Sequence, residues 1–308
     1  IYFNKSFFSL ALSMILSQCV FLFIIIKKLP NIIHFKKVNI FNFFKRFSYS
    51  LQLGLSSIIF VVLSKIDLIM LGNITSVEDV AVYDICVLLS FVVVFPYLAL
   101  VKSSEPIVKS IIKNNSLLKK YNTNLTFAIS ISTIIVLCFC LFSDLFLSIF
   151  GENYSSGKVS LIVLSIGYLF VSFLASPIEF LNMSGFVKIS VTILIVSLVL
   201  NIFLNYTLIK IIGIDGASIA TIISLIFSKI VALYFVKKKM NMKLISYFNI
   251  LKILPVLFFI LLFFLLKQNI NSLSFYYIFF VKTLFIVCYL ITFYKLNKKE
   301  LVLFLRIN

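Results

Sequence analysis

Lys65, Asp67 and Asp84 stand in the stretch SKIDLIMLGNITSVEDVAVYDICVLL, residues 64–89, among Leu, Ile, Val and Met. Placing such a charge at the centre of a bilayer costs roughly 2.5–3.5 kcal/mol, so its use has to offset that cost. Lys65 and Asp67 are two residues apart and point to different sides of one helix. Two uses fit. In one, the cluster faces a cavity, Lys65 attracts phosphate oxygens, and Asp67 or Asp84 carries a proton. In the other, Lys65 snorkels to the interface and bridges to Asp84. Three more polar residues lie in long apolar runs. Asn201 and Asn205 are four apart and share a helix face, where they either bond a neighbouring helix or touch a sugar. Lys229 either lines a cavity or snorkels.

Other chemistry has no candidates. The lone histidine, His34, sits in a basic loop. No H-E-x-x-H, G-x-x-x-x-G-K-[ST] or G-x-S-x-G motif occurs, so the reading includes no metal, no cofactor and no catalytic nucleophile. Cys19, Cys86, Cys138, Cys140 and Cys288 all fall in apolar segments without C-x-x-C spacing and read as small buried hydrophobes.

The elements that must position these residues follow from composition. The 308 residues are 62% hydrophobic and 12% charged, where a soluble domain is about a quarter charged. Apolar runs of about 20 residues recur, each long enough to cross a bilayer as a helix. The runs do not alternate as barrel strands would. The expectation is an all-α membrane protein with nine spans, at about 7–26, 48–71, 80–101, 124–143, 159–176, 188–209, 216–236, 246–266 and 275–294. Pro96 and Pro255 fall inside spans and invite kinks. Gly216 and Ala220 form a small-x-x-x-small pair suited to close helix packing. Glu105 and Glu179 fall at helix ends beside Pro106 and Pro177, as solvated boundary residues or inner-gate groups. Lys252 and Lys282 read as snorkelling.

Orientation follows from Lys and Arg. The connections at 27–47, 102–120 and 237–243, Lys188 and the C-terminal tail place 20 basic residues on one side, against Lys5, Lys158, Lys210 and Lys267 on the other. The first side is expected to be cytoplasmic, with residue 1 outside and the C-terminus inside. The net charge of +18 is spread over short loops beside spans, which argues for anionic lipid headgroups as partners and against nucleic acid.

Three stretches carry a resemblance. DLIMLGNITSVEDVAVYDICVLLSFVVVFPYLAL has an Asp near a helix end, then Leu-Gly, an acidic loop and Val-x-x-Tyr. LFLSIFGENYSSGKVSLIVLSIGYLF has a Phe-Gly-x-x-Tyr turn. NMSGFVKISVTILIVSLVLNIFLNYTLIKIIGIDGASIATIISLI has Asn-x-x-Gly, Leu-Asn-x-x-Leu-Asn-x-x-Leu-Ile and Gly-Ile-x-Gly-Ala-x-Ile-Ala-Thr. In that order they resemble the C-terminal half of polysaccharide or O-antigen flippases, in the MATE-like multidrug/oligosaccharidyl-lipid/polysaccharide exporter superfamily. Lys210 departs from the family pattern, which tends to place Pro there, and Asp84 stands where a small or apolar residue usually follows the Tyr.

The resemblance implies two six-helix lobes around a central cavity. Residues 1–46 would hold the last helix of a truncated N-terminal lobe and a cytoplasmic linker. Residues 47–236 would be the C-terminal six-helix lobe, and 237–308 two additional helices and a tail. About five N-terminal helices would be missing, and Ile1, opening almost directly into a span, reads as the start of a fragment. The implied function is transport without catalysis: flipping undecaprenyl-diphosphate-linked oligosaccharide across a bacterial inner membrane, alongside other polysaccharide-assembly membrane proteins. The alternatives are a cation-coupled multidrug exporter of the same superfamily and a membrane-embedded polymerase or glycosyltransferase. The short outer connection at 144–158 argues against the enzyme.

The map makes a direct prediction. In intact cells, Lys238→Cys stays unlabelled by a membrane-impermeant maleimide and reacts once the inner membrane is opened. Labelling from outside inverts the topology.

Overall fold

The computed structural model of the chain describes residues 7–28, 40–242 and 244. Spans 246–266 and 275–294 lie outside the described residues, as do His34, Lys252, Pro255, Lys267, Lys282, Cys288 and the tail. Among the described residues 92% are helical and none is in a strand, which bears out the all-α reading. The chain falls into two units, residues 1–48 and 49–308. The first contains α1 (Phe7–Lys28), a 22-residue apolar helix matching the expected first span.

Between Ile40, at the end of the first unit, and Met240 in the second, each expected span from two to seven is present, but most are broken or extended. The second is α2 (Ile40–Leu63) and α3 (Ile66–Ile74), interrupted at Ser64–Lys65. The third is α4 (Val77–Phe91), a 3-10 turn at Val92–Val94 and α5 (Phe95–Ser104). Ser76 caps α4 by accepting from the Asp79 N–H at 3.2 Å, and Glu78 and Asp79 in the first turn suit the helix dipole. Pro96 has no N–H, so the Val92 carbonyl takes the Phe95 N–H instead, tightening that turn. Ser132 supplies a further donor to the Val93 carbonyl at 2.6 Å. The carbonyl that Pro96 frees is thus taken up within its own turn, and the only departure from α-helix at Val92–Val94 is the tighter 3-10 geometry.

A short α6 (Val108–Lys113) follows, with Val108 and Ile111 buried beneath exposed Lys109 and Lys113. Asn114 caps α7 (Asn115–Ser148). The Phe-Gly-x-x-Tyr turn uses Gly151 at φ +130°, a conformation that glycine adopts at no steric cost. Asp144 and Lys158 form an ion pair across this turn. Then come α8 (Lys158–Phe173), a break at 174–176, α9 (Pro177–Met183) and α10 (Val187–Met240).

The last helix contains 54 residues, about 80 Å at ~1.5 Å per residue, far longer than a hydrocarbon core of roughly 30 Å. It is two limbs. Ile212 and Gly213 leave the helical region, Gly213 at φ +58°. A Cβ on Gly216 would lie 2.3 Å from the Leu208 carbonyl oxygen, a contact possible only if limb 214–240 folds back on limb 187–211. The Gly-Ile-x-Gly motif thus encodes a hairpin: one glycine turns the chain and the next lets the limbs touch. Along the first limb, Ser190, Ser197, Asn201, Asn205 and Ile209 are buried, while Ile195, Val199, Phe203 and Tyr206 face outward. Polar residues turn inward and apolar ones outward, as lipid requires.

Gly216→Ala drives a methyl into backbone and lowers stability by about 1–3 kcal/mol. Gly54→Ala, which meets nothing within 4 Å, costs nothing and gains up to about 1 kcal/mol of helix propensity. Thermal unfolding in detergent measures both.

Candidate functional site

The expected charge cluster divides in two. The break at Ser64–Lys65 restarts the helix at Ile66 and places Asp67 in the first turn of α3. Asp67 is 1% exposed. Its carboxylate accepts three hydrogen bonds: from the Tyr83 hydroxyl at 2.6 Å, from Thr221 Oγ1 at 3.0 Å and from the Leu68 N–H at 2.9 Å. Among the described residues no cation lies within ion-pair distance of it. The start of α3 adds the partial positive charge of a helix N-terminus. The carboxylate is therefore held by neutral dipoles alone.

Lys65 and Asp84 sit on the other side of the same hairpin. Their side chains are 57% and 49% exposed and 3.4 Å apart. Tyr83 and Asp84 are consecutive in α4, so they face apart just as Lys65 and Asp67 do, and each finds its own partner. The structure supplies the Lys65–Asp84 bridge and does not join that pair to Asp67. The Val-x-x-Tyr motif acquires a physical meaning, since its Tyr is the donor to the motif's Asp.

Asn201 and Asn205 are fully buried and meet as their spacing requires, Asn205 Nδ2 donating to Asn201 Oδ1 at 2.9 Å. Asn201 Nδ2 and Asn205 Oδ1 have no partner among the described residues. With Gly216 against Leu208, the hairpin register sets Thr221 level with a position near 203, between the two asparagines, to within about a turn. Asp67, Thr221 and the asparagine pair thus share a depth in the bundle.

Lys229, eight residues beyond Thr221 on the same limb, is neither snorkelling nor exposed. It is 7% exposed and donates to the Tyr97 hydroxyl at 3.0 Å and the Ala175 carbonyl at 3.2 Å. Glu179 Oε2 is 3.8 Å from its ammonium. Tyr121 and Ser176 hydrogen-bond beside it at 2.8 Å. Glu179 is 30% exposed and turns one carboxylate oxygen into this group, so it stands at the group's edge, whereas Glu105 pairs with exposed Lys102 at 2.8 Å.

Sequence reasoning did not single out Tyr83, Thr221, Tyr97 or Tyr121. Tyr83 and Thr221 stood inside motifs already noted, at Val-x-x-Tyr and Ile-Ala-Thr. Asp215, which accepts from Ser160 at 2.6 Å, likewise ties the α10 turn to the start of α8. Lys210 lies over the Tyr206 ring, 3.7 Å from its centroid. Cys86 and Cys140 are buried as expected, whereas Cys19 is exposed and Cys138 partly so.

Removing a donor from the buried carboxylate should cost far more than breaking the exposed bridge. Tyr83→Phe lowers stability by about 1–3 kcal/mol, and Lys65→Ala changes it by no more than about 1 kcal/mol. Equal effects in thermal unfolding would contradict the division of the cluster.

Residues 53–207, half of the chain, match the MatE family. Searches of curated proteins and of solved structures returned no match. The matched segment includes Asp67, Tyr83 and both asparagines. The chain is a multi-pass, all-helical membrane protein, and it belongs to the MatE family, whose members are transporters.

Proposed function

We propose that this chain is the C-terminal part of a flippase that moves undecaprenyl-diphosphate-linked oligosaccharide from the cytoplasmic to the outer leaflet of a bacterial inner membrane. The product serves O-antigen, capsule or exopolysaccharide assembly. In this reading residues 47–236 form one lobe, and the basic loops face the cytoplasm and its anionic lipids. Transport proceeds by rocking of two lobes about a shared cavity.

The observation that carries the mechanism is Asp67. A carboxylate inside a membrane bundle is costly without a compensating cation. Here three donors stabilise it, and its charge is left for an exchangeable partner. A proton or a monovalent cation taken up at Asp67 would meet the Thr221 hydroxyl, with the open Asn205 Oδ1 at the same depth. Occupancy of the site would thereby couple an ion gradient to movement of α3 and α10. The substrate class rests on the asparagine-rich motif and its resemblance to polysaccharide flippases. An ion-coupled drug exporter of the same superfamily would use the same carboxylate, so the substrate has to be tested directly.

The full-length protein is expected to restore surface polysaccharide to a bacterium lacking its own oligosaccharide flippase, without raising drug resistance in an exporter-deficient strain. The reverse outcome selects the exporter. Asp67→Asn keeps the side-chain size and one acceptor oxygen, puts an NH2 donor in place of the other, and removes the charge. It is expected to cut transport roughly tenfold or more at equal membrane abundance, the scale of a typical coupling free energy. Full transport by Asp67→Asn removes the coupling role.

A further inference from the structure

The interior group around Lys229 has a feature that packing alone does not require. The fifth span ends at Phe173, and residues 174–176 interrupt the path to α9. Ala175, fully buried, takes φ +55°, a left-handed conformation that is uncommon for residues other than glycine and asparagine. Its carbonyl, turned out of any helix, accepts from the Tyr97 hydroxyl at 2.6 Å and from Lys229 Nζ at 3.2 Å. The next residue, Ser176, is held by Tyr121. The unusual backbone is thus clamped from α5, α7 and α10 together.

Lys229 pairs with a second acceptor, Glu179, at a distance too long for a hydrogen bond. Glu179 Oε2 is buried with no hydrogen-bond partner among the described residues, and it lies 3.8 Å from Nζ. An ammonium bonded to a carboxylate gains charge assistance from both partners, whereas its bond to the Ala175 carbonyl has it from the donor alone. A buried carboxylate oxygen left without a donor is also costly. Closing the gap needs a shift of α9 against the second limb of α10 of about 1 Å, which would bring Nζ to ordinary bonding distance. The ammonium would then leave the Ala175 carbonyl to Tyr97 alone.

We propose that Lys229 is a two-position latch. In the state seen here it bonds the Ala175 carbonyl at 3.2 Å and keeps Glu179 as a longer ion pair at 3.8 Å. In the alternative state it hydrogen-bonds Glu179 directly and loosens the 174–176 break, whose carbonyl is left to Tyr97. Thr221, which bonds Asp67, and Lys229 are about 12 Å apart along one limb, so a movement of that limb reaches both groups. The inference rests on the family's transport role and does not depend on the substrate.

The test uses the full-length protein with its native cysteines, Cys19, Cys86, Cys138, Cys140 and Cys288 among them, replaced and a Ser176→Cys reporter, purified in detergent without substrate. Ser176 is 1% exposed, so the rate of labelling by a water-soluble maleimide reports how often the break opens. Glu179→Gln leaves the bonds to Tyr97 and Ala175 in place and removes the competing charge, so labelling is expected to slow by at least about fivefold, the lower end of typical coupling effects. Lys229→Met removes the clamp and is expected to speed labelling. Unchanged or faster labelling in Glu179→Gln, or no acceleration in a folded Lys229→Met protein, overturns the latch. If Lys229→Met does not fold, Glu179→Gln decides alone.

Discussion

A polar group inside a bilayer-spanning bundle has no water to turn to, and this constraint organises the whole lobe. Regular helix satisfies the backbone. At three of the departures from regular helix a side chain adds to the bonding. Ser132 serves the carbonyl beside the Pro96 break. Tyr97 and Lys229 serve Ala175. Ser64 bonds back to the Phe60 carbonyl where α2 gives way to α3. The breaks are local departures from helix whose polar groups are recaptured, and each places a chemically active residue near a loosened backbone.

The same constraint explains the serine- and threonine-rich interior. Ser104, Thr126, Ser130, Thr133, Ser165, Ser172, Ser197 and Ser224 each donate to the carbonyl four residues earlier in their own helix. Once satisfied in this way they behave as small residues and let helices approach. Gly167 shows how close: a Cβ there would lie 2.3 Å from Ile222. In such a tight interior, Asp67 with its borrowed donors stands out, and so do the side chains with a buried atom that has no partner among the described residues: Asn122, Asn201, Asn205 and Glu179.

Much of the fold was legible beforehand. Spans two to seven fall where hydropathy placed them, because lipid demands a long apolar run for each crossing. The turns at Gly213 and Gly151 and the tightened turn before Pro96 fall at residue types with narrow conformational uses. The site was only half legible. The opposite facing of Lys65 and Asp67 follows from helix geometry, and so does the contact between Asn201 and Asn205. The partners of Asp67 and Lys229 were not visible, because Thr221 is 154 residues from Asp67 and Tyr97 is 132 from Lys229.

By itself, the chain's order of residues settled that this is a helical membrane protein, and it indicated which residues carry the uncommon charges. Hydrophobic run length and helical period are local quantities, and the bilayer reads them locally. Only the tertiary structure decided which charges are buried with neutral donors, which are bridged at the surface and which has two acceptors within reach. Burial and pairing depend on what distant helices bring alongside, and on gaps of about 1 Å that no spacing along the chain can encode.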